Sequence, residues 1–355
     1  MFFERNPSWC HWKNSKNRIG KKIGYRKMRV CIFGAGAIGG MLGFLLNKQG
    51  IDVTLIARRE HYKAIKKNGL TFISSEYNIE ETQKFKIFDS LETLGKFDLV
   101  INGLKAHSAN QTAELVSNLI HEETIILPTL NGVPWWFFYK FQGTLANYQL
   151  SSVDPGQKQW KYLKPQKVLG CVVYPAATIT KPGVIKHIEG KRFILGEPDG
   201  SKSERANIIS NLLVNSGLKA PVSKDIRSDI WLKLIGNSSF NPLSVITQNT
   251  LKEMCENEDI KNIIEEMMSE VIFIGEKLNI KIRLTVEKRI EGAKNVGDHK
   301  TSTLQDYENK RPLELNALIN SLIELGKLTN VQTPTLNTVY RIAKFFSERQ
   351  GCSTK

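Results

Sequence analysis

Cysteine is scarce in this chain and badly placed for pairing. Cys10, Cys31, Cys171, Cys255 and Cys352 are an odd number with no C-x-x-C spacing. That excludes a disulfide framework and a structural zinc site, and it points to a reducing, cytoplasmic compartment. The six histidines, at 11, 61, 107, 121, 187 and 299, are scattered, so no metal constellation is expected. No run approaches the ~18–20 apolar residues of a membrane span, and no charged-apolar-small leader opens the chain. Acids are in deficit, with 35 Asp and Glu against 50 Lys and Arg, for a formal net charge of +15. Residues 1–27 hold +7 of it, because Arg5, Lys13, Lys16, Arg18, Lys21, Lys22, Arg26 and Lys27 face Glu4 alone; +8 remains on the other residues. A moderately basic body suits an anionic substrate or cofactor through electrostatic steering, without calling for nucleic acid. What is present is ordinary soluble composition, 41% apolar and 24% charged over 355 residues. This excludes collagen-like, coiled-coil and wholly disordered chains and suggests two domains at roughly 100–200 residues each.

Residues 1–27 are basic and lack apolar periodicity. They read as a disordered extension or as a start codon assigned too early, since Met28 directly precedes the first strand. A nucleic-acid or membrane-surface arm and a transit peptide are the weaker readings. From Met28 the pattern changes. Arg29–Phe33 is a short apolar, β-branched run, hence a buried strand. A glycine-rich turn follows, then Met41, Leu42, Leu45 and Leu46 at helical spacing up to Gly50, then a second strand over 51–57. Strands are predicted over 97–102 and 124–127, and helices over 59–68 and 108–120. Such alternation implies a parallel sheet. Further on, 168–174 predicts a strand, 184–187 and 192–195 a hairpin, 203–216 a helix and 219–222 a short strand. Beyond about 224 the signal is almost wholly helical, with Met267, Met268, Val271, Ile274 and Leu278 as one core stripe. The expected fold is α/β: a Rossmann-type dinucleotide-binding domain over 28–222, then an all-helical domain over 223–350.

Gly34-Ala35-Gly36-Ala37-Ile38-Gly39 satisfies G-x-G-x-x-G between a predicted strand and a helix, the context that gives the motif meaning. The first glycine permits the tight turn, the second lets the backbone approach a pyrophosphate, and the third allows close helix–strand packing. The helix N-terminus offers N–H groups to phosphate. An NAD site would place an acid roughly 20 residues on. Here Arg58 stands 19 residues after Gly39, followed by Arg59. A guanidinium suits a 2′-phosphate, so NADPH is expected over NADH. Lys105 follows the strand 97–102, at the ligand-binding end of such a sheet. Asn131-Gly132 follows the strand 124–127, and is either a crevice loop or a plain turn. Pro134-Trp135-Trp136-Phe137-Phe138 lines a pocket, forms a contact surface or packs internally; the pattern does not choose.

A helix is predicted over 225–241. Lys233, Asn237 and Asn241 form an i, i+4, i+8 row beside the apolar stripe Ile226, Ile230, Leu234. An ammonium and two carboxamides on a half-buried face need partners, and a small polar ligand supplies them. Glu314 heads an otherwise apolar row with Leu318 and Leu322, where a carboxylate can accept from a substrate hydroxyl. Ser302, in Thr301-Ser302-Thr303-Leu304-Gln305-Asp306, bonds a substrate carboxylate or caps a helix.

Together these motifs resemble the ketopantoate reductase (2-dehydropantoate 2-reductase) family over about residues 28–345. The resemblance is carried by G-A-G-A-I-G-G at 34–40, L-K-A at 104–106, N-G-V at 131–133, W-L-K-L-I-G-N-S-S-F-N-P-L at 231–243, and T-S-T-L-Q-D at 301–306 followed by Glu314. It implies a substrate cleft between a Rossmann domain and a helical domain, and NADPH-dependent reduction of 2-dehydropantoate to (R)-pantoate in pantothenate and coenzyme A synthesis. It also implies that Lys233 is the general acid and that Glu314 holds the substrate's terminal hydroxyl. Asn237, Asn241 and Ser302 match substrate-orienting positions. Lys105 and Asn131 match positions around nicotinamide and substrate. The expected partner is a small 2-oxo acid, with a homodimer as a candidate assembly and no membrane.

There are departures. Arg311-Pro312-Leu313-Glu314-Leu315-Asn316 lacks the Thr before this Glu and the acid two residues after it that the family usually has. The segment 134–160 is also longer and more aromatic. A paralogue acting on another 2-oxo acid is therefore the same-class rival. A non-catalytic NADPH-binding regulator is the rival from another class, disfavoured by the joint presence of Lys233, Asn237 and Glu314.

Overall fold

The computed structural model describes residues 28–92 and 94–352; the basic extension 1–27 lies outside them. In chain order the first part contains β1 (Arg29–Phe33), α1 (Ala37–Lys48), β2 (Asp52–Ile56), α2 (Arg59–Asn68), β3 (Leu70–Ser74), β4 (Ile79–Gln83), β5 (Lys86–Phe88), β6 (Phe97–Asn102), α3 (Ala106–Gln111), α4 (Ala113–Ser117), β7 (Ile120–Pro128), α5 (Lys158–Leu163), β8 (Gly170–Val173), β9 (Ala176–Lys181), β10 (Val184–Glu189), β11 (Phe193–Gly196) and α6 (Glu204–Asn215). The principal sheet has the order β5-β2-β1-β6-β7, with every neighbour parallel. β1 is central and its last four residues are buried, which is why its sequence runs apolar without alternation. The chain builds outward from β1 in one direction and then in the other, so the switch point falls between β1 and β6. Ligands of open α/β sheets bind there, beyond the strands' carboxyl ends.

Two local expectations give way to tertiary pairing. The helix predicted over 108–120 is two short helices, α3 and α4, broken at Thr112, whose Oγ1 donates to the Ser108 carbonyl at 2.8 Å. The hairpin predicted from 184–187 and 192–195 does not form. β10 instead pairs with β9 across the Pro182-Gly183 turn and with β3, in a sheet of order β4-β3-β10-β9. β11 pairs with β8. The burial patterns say why: β10 is half-exposed, as one face of a second sheet, whereas β11 is buried throughout.

From residue 226 the described chain is helical: α7 (Ile226–Thr247), α8 (Leu251–Glu256), α9 (Glu258–Lys277), α10 (Val286–Val296), α11 (Ser302–Glu308), a π-helical turn (Asn316–Asn320), α12 (Ser321–Thr329) and α13 (Pro334–Gln350). Asp225 caps α7 by accepting from the Ser228 N–H. The helix runs six residues beyond the predicted end at Asn241, through Pro242. Proline ordinarily breaks a helix interior, but Phe240, Pro242, Leu243 and Val245 are all buried here, and packing outweighs propensity. Trp136, Phe137 and Val172 share one apolar core with Ile226, Trp231 and Leu234, so the sheet and α7 are held together by burial. Trp135, Trp136, Phe137 and Phe138 are all buried, so the aromatic segment packs internally, while Pro134 and Trp136 also line a pocket. Phe137 lies 5.7 Å from Trp231, ring to ring.

Among the described residues no helix is long and apolar enough to cross a membrane.

Candidate functional site

The glycine turn sits at the switch point and is shaped by close approach. Gly34 has φ +101°, and a Cβ there would fall 2.7 Å from the Leu104 side chain of the β6 loop. A Cβ at Gly39 would overlap the Gly34 carbonyl oxygen. Gly36 differs, because a Cβ there would meet nothing within 4 Å. Gly36 is also the N-cap of the twelve-residue α1 and brings no side-chain cap. The start of α1 thus has no side-chain cap and open space beside Gly36, and the positive end of a helix so left suits phosphate. Arg58, just past β2, is exposed, and among the described residues it has no ion pair. Glu60 is spent on Lys63 at 2.8 Å.

One further residue braces this turn and was not singled out from the sequence. His61, in α2, contacts the Ala35 carbonyl through Nε2 at 2.9 Å, while the Gly183 N–H donates to Nδ1 at 3.1 Å. With Nδ1 accepting, Nε2 carries the proton and donates. The ring thus ties the glycine turn to the β9–β10 turn. Burial lowers the imidazole's pKa, keeping it neutral.

Lys233 projects from α7 into the cleft between the sheet and the helical part. Its Nζ donates to Asn131 Oδ1 at 2.8 Å and to the carbonyl of Val173. Burial pulls the ammonium down to about 8, and the charges of Arg289 and Lys105 push the same way. Asn237 lines the same cleft, with Asn131, Pro134 and Trp136. Asn241 is deeper, and its Nδ2 donates to Thr303 Oγ1 at 3.1 Å. That amide ties α7 to α11. Ser302 is exposed at the start of α11, and the capping bond is made by Thr301, which accepts from the Leu304 N–H at 3.1 Å. Of the two readings of Ser302, the cap is excluded.

Lys105 and Glu314 are brought together rather than left as separate contacts. Lys105 Nζ lies 2.7 Å from Asp306 Oδ2 and 3.2 Å from Glu314 Oε2. Glu314 Oε1 accepts from the Ala106 N–H at 3.0 Å. Burial alone would raise the Glu314 carboxyl, but Lys105 and Ala106 outweigh it and hold it below its ordinary range. Asp306 was legible as part of the T-S-T-L-Q-D motif, though its charge had no assigned role. Glu314 does not head a regular helical row, because it precedes the π-helical turn Asn316–Asn320. π-turns recur at functional sites, and this one shifts the register of the following helix. His107 Nδ1 is buried with no hydrogen-bond partner among the described residues.

The arrangement offers a helix end without a side-chain cap, a guanidinium beyond the neighbouring strand that has no ion pair among the described residues, and an ammonium of lowered pKa in a cleft lined from the sheet and α7. It has the elements needed to bind a dinucleotide and protonate an oxygen beside it. Residues 30–200 match the family model described as "Ketopantoate reductase PanE/ApbA", and residues 225–347 match "Ketopantoate reductase PanE/ApbA C terminal". A 2-dehydropantoate 2-reductase of Mesorhizobium japonicum is 43% identical, over 92% of this chain and 99% of that protein. A crystal structure from Ralstonia solanacearum MolK2 superposes with a TM-score of 0.87 at 34% identity, covering 91% of this chain and 99% of that one. A D-mandelate dehydrogenase solved with NADH and anilino(oxo)acetate shares the fold, with a TM-score of 0.78 at 23% identity, over 91% of this chain and 99% of that one.

Proposed function

The chain belongs to the ketopantoate reductase family of oxidoreductases, and from that premise we propose that it reduces the C2 ketone of 2-dehydropantoate to (R)-pantoate with NADPH. This is the cytosolic step that leads to pantothenate and coenzyme A. The observation that carries the reading is Lys233: an ammonium brought down to about 8, fixed by Asn131 and Val173 in the interdomain cleft. We put the division into an NADPH-binding part and a helical substrate part at 222–223, supported by the pairing of Val222 with Leu195 and the start of α7 at Ile226.

The residues present fit the cofactor. The open space at Gly36 takes the pyrophosphate against the free amides of α1, and Arg58 takes the 2′-phosphate. The reduced nicotinamide, when bound, supplies hydride to the ketone carbon. Lys233 donates its proton to the ketone oxygen as charge builds there, and a donor near neutral pKa does this best. Asn131 Oδ1 and the Val173 carbonyl orient the ammonium, so no reorganisation is needed at that moment. Asn237, Asn241 and Ser302 orient the substrate, Asn241 after exchanging its bond to Thr303. Glu314 accepts from the terminal hydroxyl through a lone pair not used by Lys105 or Ala106.

A second reading, a paralogue reducing a different 2-oxo acid, is favoured by Trp136, whose ring is buried and which also lines the cleft beside Lys233. The test is loss of reduced-nicotinamide absorbance with 2-dehydropantoate beside a panel of 2-oxo acids, using NADPH and NADH in turn. A strong preference for 2-dehydropantoate supports the first reading, and turnover only on another acid supports the second. Tight NADPH binding without turnover on any of them defeats both.

A further inference from the structure

Arg289, in the first turn of α10, lays its guanidinium on the backbone of α7. A Cβ at Gly236 would overlap both Nη2 and Cζ of Arg289, so the guanidinium occupies a notch that exists because residue 236 has no side chain. Gly236 lies three residues beyond Lys233 and next to Asn237, on the turn of α7 that carries the ammonium, and residues so spaced are surface neighbours. The other partly buried arginines are satisfied. Arg205 is held by Glu197 at 2.5 Å and by two carbonyls, and Arg227 donates to the Phe137 and Tyr139 carbonyls. Among the described residues Arg289 has neither a side-chain hydrogen bond nor an ion pair; only the phenol of Tyr174 and the thiol of Cys255 act favourably on its charge, while burial disfavours it. Lys233 lies over the ring of the same Tyr174, 5.9 Å from its centre. Both cations act on the Tyr174 side of the helix, the charge of Arg289 disfavours that of Lys233, and among the described residues neither makes an ion pair.

A partly buried guanidinium without a protein partner loses part of its hydration, and an anion placed against it offsets that loss. A 2-oxo acid carries its carboxylate one bond from the ketone carbon. Once the ketone oxygen meets Lys233 Nζ, that carboxylate must lie within a helical turn of it. The residues that line the cleft with Lys233, among them Asn131, Pro134, Trp136, Ile230 and Leu234, include no other cation. We infer that Arg289 binds the substrate's carboxylate, seated in the Gly236 notch, and so selects 2-oxo acids over neutral ketones. The inference rests on the reductase reading above and names the group that reads the acid.

The experiment compares wild type, R289M and R289K on the 2-oxo acid and on its uncharged primary amide. Because hydrogen bonds to charged groups contribute roughly ten- to hundredfold in affinity, R289M should lower kcat/KM for the acid by about that factor, mainly through KM. It should leave the amide and the NADPH dissociation constant unchanged. R289K keeps the charge but not the planar fork and should fall between. Equal losses on acid and amide would mean a structural role, and no loss on either would mean no role; each overturns the assignment. Should R289M fail to fold, R289K carries the comparison. If wild type reduces no 2-oxo acid, the reductase reading fails by itself. Arg289 is then judged by titration calorimetry with oxamate. Binding to wild type that R289K weakens supports the site; binding equal in the two, or none, sinks it.

Discussion

Lys105 Nζ lies 3.2 Å from Glu314 Oε2, an ion pair between the loop after β6 and the chain just before the π-helical turn. The two residues are 209 positions apart in sequence. The pair, with Asp306 on the same ammonium, fastens the dinucleotide-binding sheet to the helical part beside the cleft. Glu314 and Asp306 are both buried, so Lys105 offsets charge on two carboxylates held largely from water, with Arg311 3.9 Å from Asp306 as a second cation. Removing one partner of a buried pair is ordinarily expensive, but the Lys105 side chain is 41% exposed and solvent screens part of the effect. K105M should therefore destabilise by about 1–3 kcal/mol, measured by urea unfolding. The sign with pH follows from the lowered Glu314 carboxyl. Its stabilising contribution is complete above the unfolded-state pKa and disappears as pH falls through the depressed folded value. Without Lys105 the depression is relieved, so acid unfolding of K105M should begin at a higher pH than that of wild type. Superimposable acid-unfolding curves would show that the pair contributes nothing.

Lys233→Ala should cut kcat by at least about tenfold, since a positioned general acid contributes ~10²–10⁴, while the NADPH dissociation constant stays put. Wild-type kcat should fall as pH rises through about 8, where the ammonium loses its proton. Near-normal turnover in the variant would remove Lys233 from the acid role.

How much of this site could be read from the chain depends on the range of the forces that build it. The β1–glycine–α1–β2 unit was legible because periodicity and turn chemistry act within about thirty residues, and the row Lys233, Asn237, Asn241 was legible because one helix displays it. β3, β4 and β9 were not found, and the segments 184–187 and 192–195 were wrongly joined. β10 takes one of its two partners, β3, from more than a hundred residues upstream, and no local pattern encodes that. Pro182-Gly183 was a turn signal in plain view between β9 and β10. Glu314 was placed on a regular helical row because a 3.6-residue period was assumed; the π-turn breaks that period. Arg289 and His61 carry no motif, and only the neighbours the fold gives them, Gly236 and Ala35, mark them out.

Arg58→Ala should narrow the ratio of kcat/KM with NADPH to that with NADH, because an exposed guanidinium without an ion pair among the described residues stands where the 2′-phosphate is expected. Glu60, paired with Lys63, is not placed to favour NADH instead. A ratio unmoved by the substitution would assign phosphate recognition to another residue.

The two ends of the glycine motif should separate cofactor binding from folding. Gly36 has φ −71°, a conformation open to any residue, and a Cβ there meets nothing within 4 Å. Gly36→Ala should cost no more than about 1 kcal/mol, because Gly36 is the N-cap of α1 and alanine caps less well than glycine. The methyl would instead project into the space assigned to the pyrophosphate and weaken NADPH binding. At Gly39 a Cβ would overlap the Gly34 carbonyl oxygen. That backbone atom cannot turn aside as a flexible side chain would. Gly39→Ala should therefore destabilise by about 1–3 kcal/mol, the usual cost of overpacking. Calorimetric unfolding of both variants, beside NADPH titration of each, checks the contrast. Equal NADPH affinity in Gly36→Ala and wild type would mean that the pyrophosphate does not lie over residue 36, and the reading of this turn as a dinucleotide site would fall with it.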